Sequence, residues 1–370
     1  MSETPILDLE QDPPRERRFG MHTSVGALFL VVVAFVLPDH VSGFWWFPIL
    51  YASVALHEIG HLIAGKLVGM EAGGIVVGGL MFFKSGGRWR FRFDYRRILS
   101  GGLARPLARK TDFDPARFAW MVAGGPLTNI VLAVIAGIVF WKTGSALEWV
   151  GSVFWLNVIL FAGTLLPVAG VNKSDGARLW MLLRNREESR SWIALLQLIT
   201  EESSGVRPRD WDEELVAQML QYNPLSGDSA FRHMLLFCRK NDQGDRQAAL
   251  EHLEKALAAS GNCGRQVRYW CFAEAACSSA MLRHNPVAAR AWVERAAKIR
   301  KPVTPHNIAA FLGHCEGRYA DALKAWAATL AFLGRKKQGS GLSLYITAKM
   351  EEYRDECREA LNSKQIQSVS

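Results

Sequence analysis

The sequence predicts an all-α membrane protein: about four transmembrane helices with a small membrane-associated β-hairpin, followed by a C-terminal α-helical repeat domain. Three observations carry this. The 370 residues are 49% hydrophobic, but long apolar runs dominate only as far as Arg186, beyond which the pattern turns polar and helical. Arg88–Asp94 alternates with the period of a strand. Past Trp211 the chain repeats an amphipathic rhythm of small and large apolar residues. A chain of this length holds two or more domains, and this composition excludes a disordered, collagen-like, disulfide-stapled or wholly soluble protein.

The first 20 residues, with Pro5, Pro13, Pro14, Arg15, Arg17 and Arg18, form a polar tail that is acidic as well as basic, which argues against a cleaved signal peptide. Four apolar segments follow: Gly20–Leu37, Phe44–Leu67, Phe118–Trp141 and Leu147–Val168. Each approaches or exceeds the roughly 20 residues a helix needs to cross a bilayer, the first being the shortest. Lys and Arg concentrate in the N-terminal tail and in the loop between the second and third segments, whereas the loop after the third has only Lys142. Basic loops stay on the cytoplasmic side. Both termini are therefore expected in the cytoplasm, with the protein integral to a membrane of the bacterial inner (cell) membrane type. The six Cys, all beyond Arg186, would be free thiols in a reducing compartment, packed as small apolar fillers.

Within the basic loop, Gly73–Phe83 is Gly-rich and β-branched, Lys84–Gly87 reads as a turn, and Arg88, Arg90 and Arg92 oppose Trp89, Phe91 and Phe93. The pattern predicts a β-hairpin. Its edge could accept an extended peptide, or the hairpin could lie on lipid headgroups; the two uses are compatible. In the C-terminal region, Ala248–Ala256, Ala288–Ala296 and Ala322–Thr329 recur at offsets of 40 and 34 residues. This resembles degenerate tetratricopeptide-type repeats, whose period is about 34 residues. Such arrays bind peptides or proteins on concave surfaces, so a cytoplasmic protein or peptide is an expected partner. Formal charge is +9, but 25 Lys and Arg against 22 Asp and Glu after Arg186 argue against a nucleic-acid partner.

The chemistry centres on His57-Glu58-Ile59-Gly60-His61 inside the second apolar segment. Histidines at i and i+4 share a helix face and can grip one metal ion, and Glu58 beside them can take a proton from water. Ionisable residues in an apolar span are costly unless used, so the trio reads as functional rather than as a polar packing cluster. Catalytic zinc takes three protein ligands, so one must come from elsewhere. Asp175, after the fourth segment and the Pro167 break and followed by Gly176, could reach back, although an Asp-Gly alone is only a turn signal.

Here the chain resembles the site-2 protease family of intramembrane zinc metallopeptidases. The resemblance covers about Phe44–Arg186 and rests on His57-Glu58-x-x-His61, Gly124-Gly125-Pro126-x-x-Asn129 and Asp175-Gly176, in that order. It implies one Zn2+ per chain, with His57, His61 and Asp175 as ligands and Glu58 as catalytic base. It further implies that Asn129 faces the site as a polar partner for substrate or ligands; the same segment also reads as a helix-packing motif. Two positions depart from the family's pattern: Thr164 stands where Asn is common, and Asn172-Lys173-Ser174 precedes the Asp. The expected organisation is a cytoplasmic tail (1–20), a transmembrane metalloprotease domain (21–186), a helical linker (187–230) and the repeat domain (231–370). The expected function is hydrolysis of a peptide bond in or near a transmembrane segment of a membrane-protein substrate, in regulated proteolysis. The rival is an inactive membrane anchor that presents a helical scaffold.

Overall fold

The first helix is apolar on the wrong side for a water-soluble protein. In α1 (Trp46–Leu67) the buried residues are Ser53, His57, Glu58, Gly60, His61 and Gly65, while Leu56, Ile59, Ile63 and Leu67 are exposed. A helix that shows aliphatic side chains outward and turns its small and polar ones inward is built for lipid. The computed structural model that shows this describes residues 46–85, 88–95, 101–108, 114–143, 147–167, 173–184, 186–222, 228–299, 305–336 and 339–367. The expected N-terminal tail and first apolar segment lie outside the described residues.

The second long apolar helix, α2 (Pro115–Thr143), has the same inverted character: Gly124, Gly125, Asn129, Ala133 and Ala136 are buried, and Val131, Val134, Ile135 and Ile138 are exposed. Gly60 and Gly124 face each other so closely that a Cβ on either would strike the other's backbone carbonyl, which lets α1 and α2 pack backbone to backbone. These two helices are long and apolar enough to cross a membrane; α3 (Glu148–Leu165) is apolar but shorter. Asn157 on α3 donates to Ser53 Oγ on α1 at 3.1 Å, a buried polar tie between apolar helices.

The expected hairpin is part of a larger sheet. Strands β1 (Glu71–Val77), β2 (Leu80–Ser85), β3 (Arg88–Phe93) and β4 (Gly102–Leu107) form an antiparallel sheet in the order β3-β2-β1-β4. Lys84 pairs with Trp89 and Ser85 with Arg88, so two residues read as turn belong to the ladder. The stretch read as one strand, Gly73–Phe83, is two: Gly78, at φ +54°, reverses the chain between Val77 and Leu80. A continuous run of apolar and glycine residues hides such a turn, because glycine is both the strand's filler and its hinge. Strand β4 was not foreseen. It pairs with β1 from Glu71↔Leu107 to Val77↔Gly102 and carries Pro106, which an edge strand tolerates.

After α3 the chain enters α4 (Asp175–Arg184) and α5 (Arg186–Ser203). Ser174 caps α4: its Oγ accepts the Ala177 amide at 3.2 Å and donates to the Leu166 carbonyl at the end of α3. Met181 and Leu182 pack with Phe118, Met121 and Val122 of α2 and Ile193 of α5, each worth about 1.5–3 kcal/mol when fully buried. That contact fixes the first residue of α4, Asp175, against α2.

Two compact units divide the chain: one runs to Thr200 and adds Glu214–Tyr222, most of α6 (Glu213–Gln221), and the other holds Glu201–Glu213 and Asn223 onward. The second unit contains α7 (Asp228–Asp242), α8 (Arg246–Ala259), α9 (Arg265–Met281), α10 (Pro286–Ile299), α11 (Pro305–Cys315), α12 (Tyr319–Lys336) and α13 (Gly341–Gln367). Consecutive helices pair as α7 with α8, α9 with α10 and α11 with α12, and α13 packs on α12. The three stretches with the small-and-large apolar rhythm are the second helices of these pairs. Gly244 and Gly317, at φ +82° and +73°, turn the chain before α8 and α12. The Asp245 and Asn285 side chains cap α8 and α10 by accepting the Ala248 and Ala288 amides. Trp292 and Trp326 fill the core, and none of the six Cys forms a disulfide.

Candidate metal centre

One turn of α1 puts both imidazoles on the face toward α2, and the capped start of α4 brings a carboxylate to them. His57 Nε2 stands 3.2 Å from His61 Nε2, and Asp175 Oδ2 lies 3.1 and 3.4 Å from the two nitrogens. All three residues are buried. Among the described residues this is the one group of three potential metal ligands that converge. Zinc–nitrogen and zinc–oxygen bonds of about 2.0–2.1 Å at tetrahedral angles put neighbouring donor atoms roughly 3.3 Å apart. The observed triangle has that size, so the residues fit a single zinc ion.

The outer atoms of each ligand are held as well. His61 Nδ1 lies 3.0 Å from the Met121 carbonyl, an acceptor for its N–H, which leaves the Nε2 lone pair facing the triangle. Asn129 meets His57 Nδ1 at 2.9 Å through its amide, and its other amide atom, buried, has no partner. With the amide oxygen toward Nδ1, the His57 N–H is satisfied and its Nε2 is likewise free for a metal. Arg178, one turn along α4, approaches Asp175 Oδ1 at 3.6 Å. Gly125 has to be glycine here, since a Cβ would enter the space between the two Nε2 atoms.

Glu58 projects from the same turn but stands outside the triangle. Its carboxylate takes a backbone hydrogen bond from Ala104 on β4, and a Cβ at Gly102 would collide with it. A cavity of about 770 Å³ opens over the group, lined by His57, Glu58, His61, Asp175 and the β4 residues Leu103 and Ala104. Lys173, one of the departures from the family's pattern, lines this cavity and pairs with Glu188 of α5.

Every expected site residue therefore falls in one place: His57, His61 and Asp175 as a triangle, Glu58 beside it, and Asn129 behind His57. Sequence reading missed β4, Arg178 and Asn157. The i,i+3 spacing of Asp175 and Arg178 and a lone Asn in an apolar run were the available signals. In the C-terminal unit, no sequence spacing marked a histidine pair, yet His233 and His252 stack with their Nδ1 atoms 3.3 Å apart. No third ligand joins them among the described residues.

Fold and site together place two histidines that could hold a metal, and a neighbouring carboxylate, on a helix long and apolar enough to cross a membrane. Comparison with protein families agrees: residues 46–145 match the model of peptidase family M50, the site-2 protease family, from the start of α1 through the whole of α2. Asp175 lies beyond the matched residues. No curated protein and no solved structure matched the chain.

Proposed function

We propose that this protein is an intramembrane zinc metalloprotease that cuts a peptide bond in or near a transmembrane segment of a membrane-protein substrate, in regulated proteolysis. The observation that carries the proposal is the buried triangle of His57 Nε2, His61 Nε2 and Asp175 Oδ2, with sides of 3.1–3.4 Å and Glu58 beside it. An inactive anchor has no use for such a group, and burying it there is costly. The family is zinc-dependent, and zinc held by these three residues would supply the Lewis acidity that makes a water nucleophilic near neutral pH.

The chain's own residues do the rest. Glu58 accepts the attacking water's proton and passes it to the leaving amine. Asn129 and the Met121 carbonyl hold the imidazoles in the tautomer that points Nε2 inward. A helical substrate must unwind before its backbone can be attacked, and the extended stretch needs a strand to pair with. Strand β4 suits this better than the hairpin named from the sequence, because it is the outer strand on the side of Glu58. On this reading both termini are cytoplasmic, and the C-terminal unit binds a cytoplasmic protein or peptide that gates access to the site. The test compares membrane proteins in cells carrying wild type or Glu58→Gln. Uncut substrates should accumulate in the variant, whose rate should fall by about 10²–10⁴-fold; equal cleavage by both forms would refute the assignment.

A further inference from the structure

The C-terminal unit encloses a second cavity, of about 300 Å³, where α7, α9, α10, α11, α12 and α13 converge. Several aromatic rings stand in its wall, Tyr269, Trp270, Phe311 and Tyr345 among them. Its unpartnered polar side-chain atoms are both acceptors, the amide oxygens of Asn241 and Asn307. Glu274 lines it, with the Trp270 side chain as hydrogen-bond partner and no cation among its partners in the described residues. Asn241 is 3% exposed; it donates to Tyr345 Oη at 2.8 Å, and its Oδ1 has no partner. Asn307 Oδ1, also on the wall, is equally orphaned. Lys349 reaches the cavity, but its ammonium is committed to Glu352 at 2.8 and 3.0 Å.

A half-buried carboxyl and two orphaned amide oxygens around one space leave these three groups short of donors. Aromatic faces add a preference for positive charge. We propose that this cavity binds a ligand with a primary ammonium or guanidinium head on a short apolar stem: Glu274 takes the charge, Asn241 and Asn307 accept its remaining protons, and the rings hold the stem. The volume lies at the small end of ligand pockets and suits a small organic amine or the Lys or Arg side chain of a peptide. Burial agrees, since it raises the Glu274 carboxyl to about 7, against the Trp270 hydrogen bond, as befits an acid that lacks its counter-ion. This inference is independent of the protease reading and of the metal centre.

The test is calorimetric titration of the full chain in detergent with n-butylamine, with N-acetyl-lysine methylamide, and with n-butanol as the uncharged isostere. Both amines should bind and butanol should not; tighter binding of the lysine derivative names a peptide as the source, and tighter binding of butylamine a free amine. At ten times Kd the amine should raise the unit's Tm by roughly 3–6 °C. Glu274→Gln, close in volume and free of the buried acid, should weaken amine binding by about 30-fold or more. Should that variant fail to fold, Asn307→Leu decides the matter by weakening binding several-fold with Glu274 intact. Absence of amine binding, equal binding of butanol, or binding unchanged in the folded variant would each overturn the proposal.

Discussion

Helix α1 of the membrane unit and helix α10 of the C-terminal unit share one period and use it in opposite senses. In α1 the buried stripe is Ser53, His57, Gly60 and His61, and Ile63 is 57% exposed. In α10 the buried stripe is Ala288, Ala289, Trp292 and Ala296, and Arg290 and Glu294 face outward. With aliphatic side chains outward, packing and polar contacts between helices, rather than burial of apolar surface, hold the first unit's interior. The difference explains why ionisable residues mean different things in the two places. In the first unit the buried ones gather at one place, the triangle with Glu58 beside it, and in the C-terminal unit the half-buried carboxyl of Glu274 has no cation among its partners in the described residues.

The sharpest way to break this comparison is one substitution made in both units. Ile63→Asp on α1, toward the end of the helix, should cost up to about 2.5–3.5 kcal/mol of membrane insertion, the range for Asp at a helix centre. The same change at Val287, 76% exposed on α10, should stay within about 0.5 kcal/mol of wild type. Insertion yield and thermal unfolding read the two, and equal costs would mean that α1 does not face lipid.

A smaller effect concerns the polar interior. Asn129→Leu removes the amide behind His57 and should weaken zinc binding by about 10–100-fold, measured by competition with a chelator. Unchanged affinity would make Asn129 a packing residue. The last effect is electrostatic and belongs to the C-terminal unit. Folded Glu274 keeps its proton up to about pH 7, against an ordinary 4.5. Between those values the unfolded chain binds fewer protons than the folded one, so the stability contributed by the protonated acid is complete below 4.5 and is lost as pH rises toward 7. The slope is at most about 1.4 kcal/mol per pH unit. Glu274→Gln should flatten that part of the pH–stability curve, and a wild-type curve already flat there would show that the carboxyl is solvated.

The same comparison explains what could be read from the sequence. Local periodicity is visible in text, so the i,i+4 histidines, the alternating Arg88–Phe93 strand and the starts of α8, α10 and α12 were legible. Convergence through space is not: Asp175 is 118 residues from His57, and only the resemblance to a family tied them together before the fold did. Strand β4 escaped because Gly101, Gly102 and Pro106 argue locally against a strand, while pairing with β1 overrides them. The His233–His252 stack and the Glu274 cavity escaped for a related reason, since neighbouring helices bring together residues that no short spacing connects.

Metal analysis of the detergent-purified chain tests the central claim most directly, because it asks whether the triangle holds an ion without asking what is cut. The account predicts one zinc per chain in wild type and in Glu58→Gln, less in Asp175→Ala, and none in His57→Ala/His61→Ala with helix content unchanged. Zinc retained by the double variant, or lost from Glu58→Gln as fully as from the double variant, would contradict it.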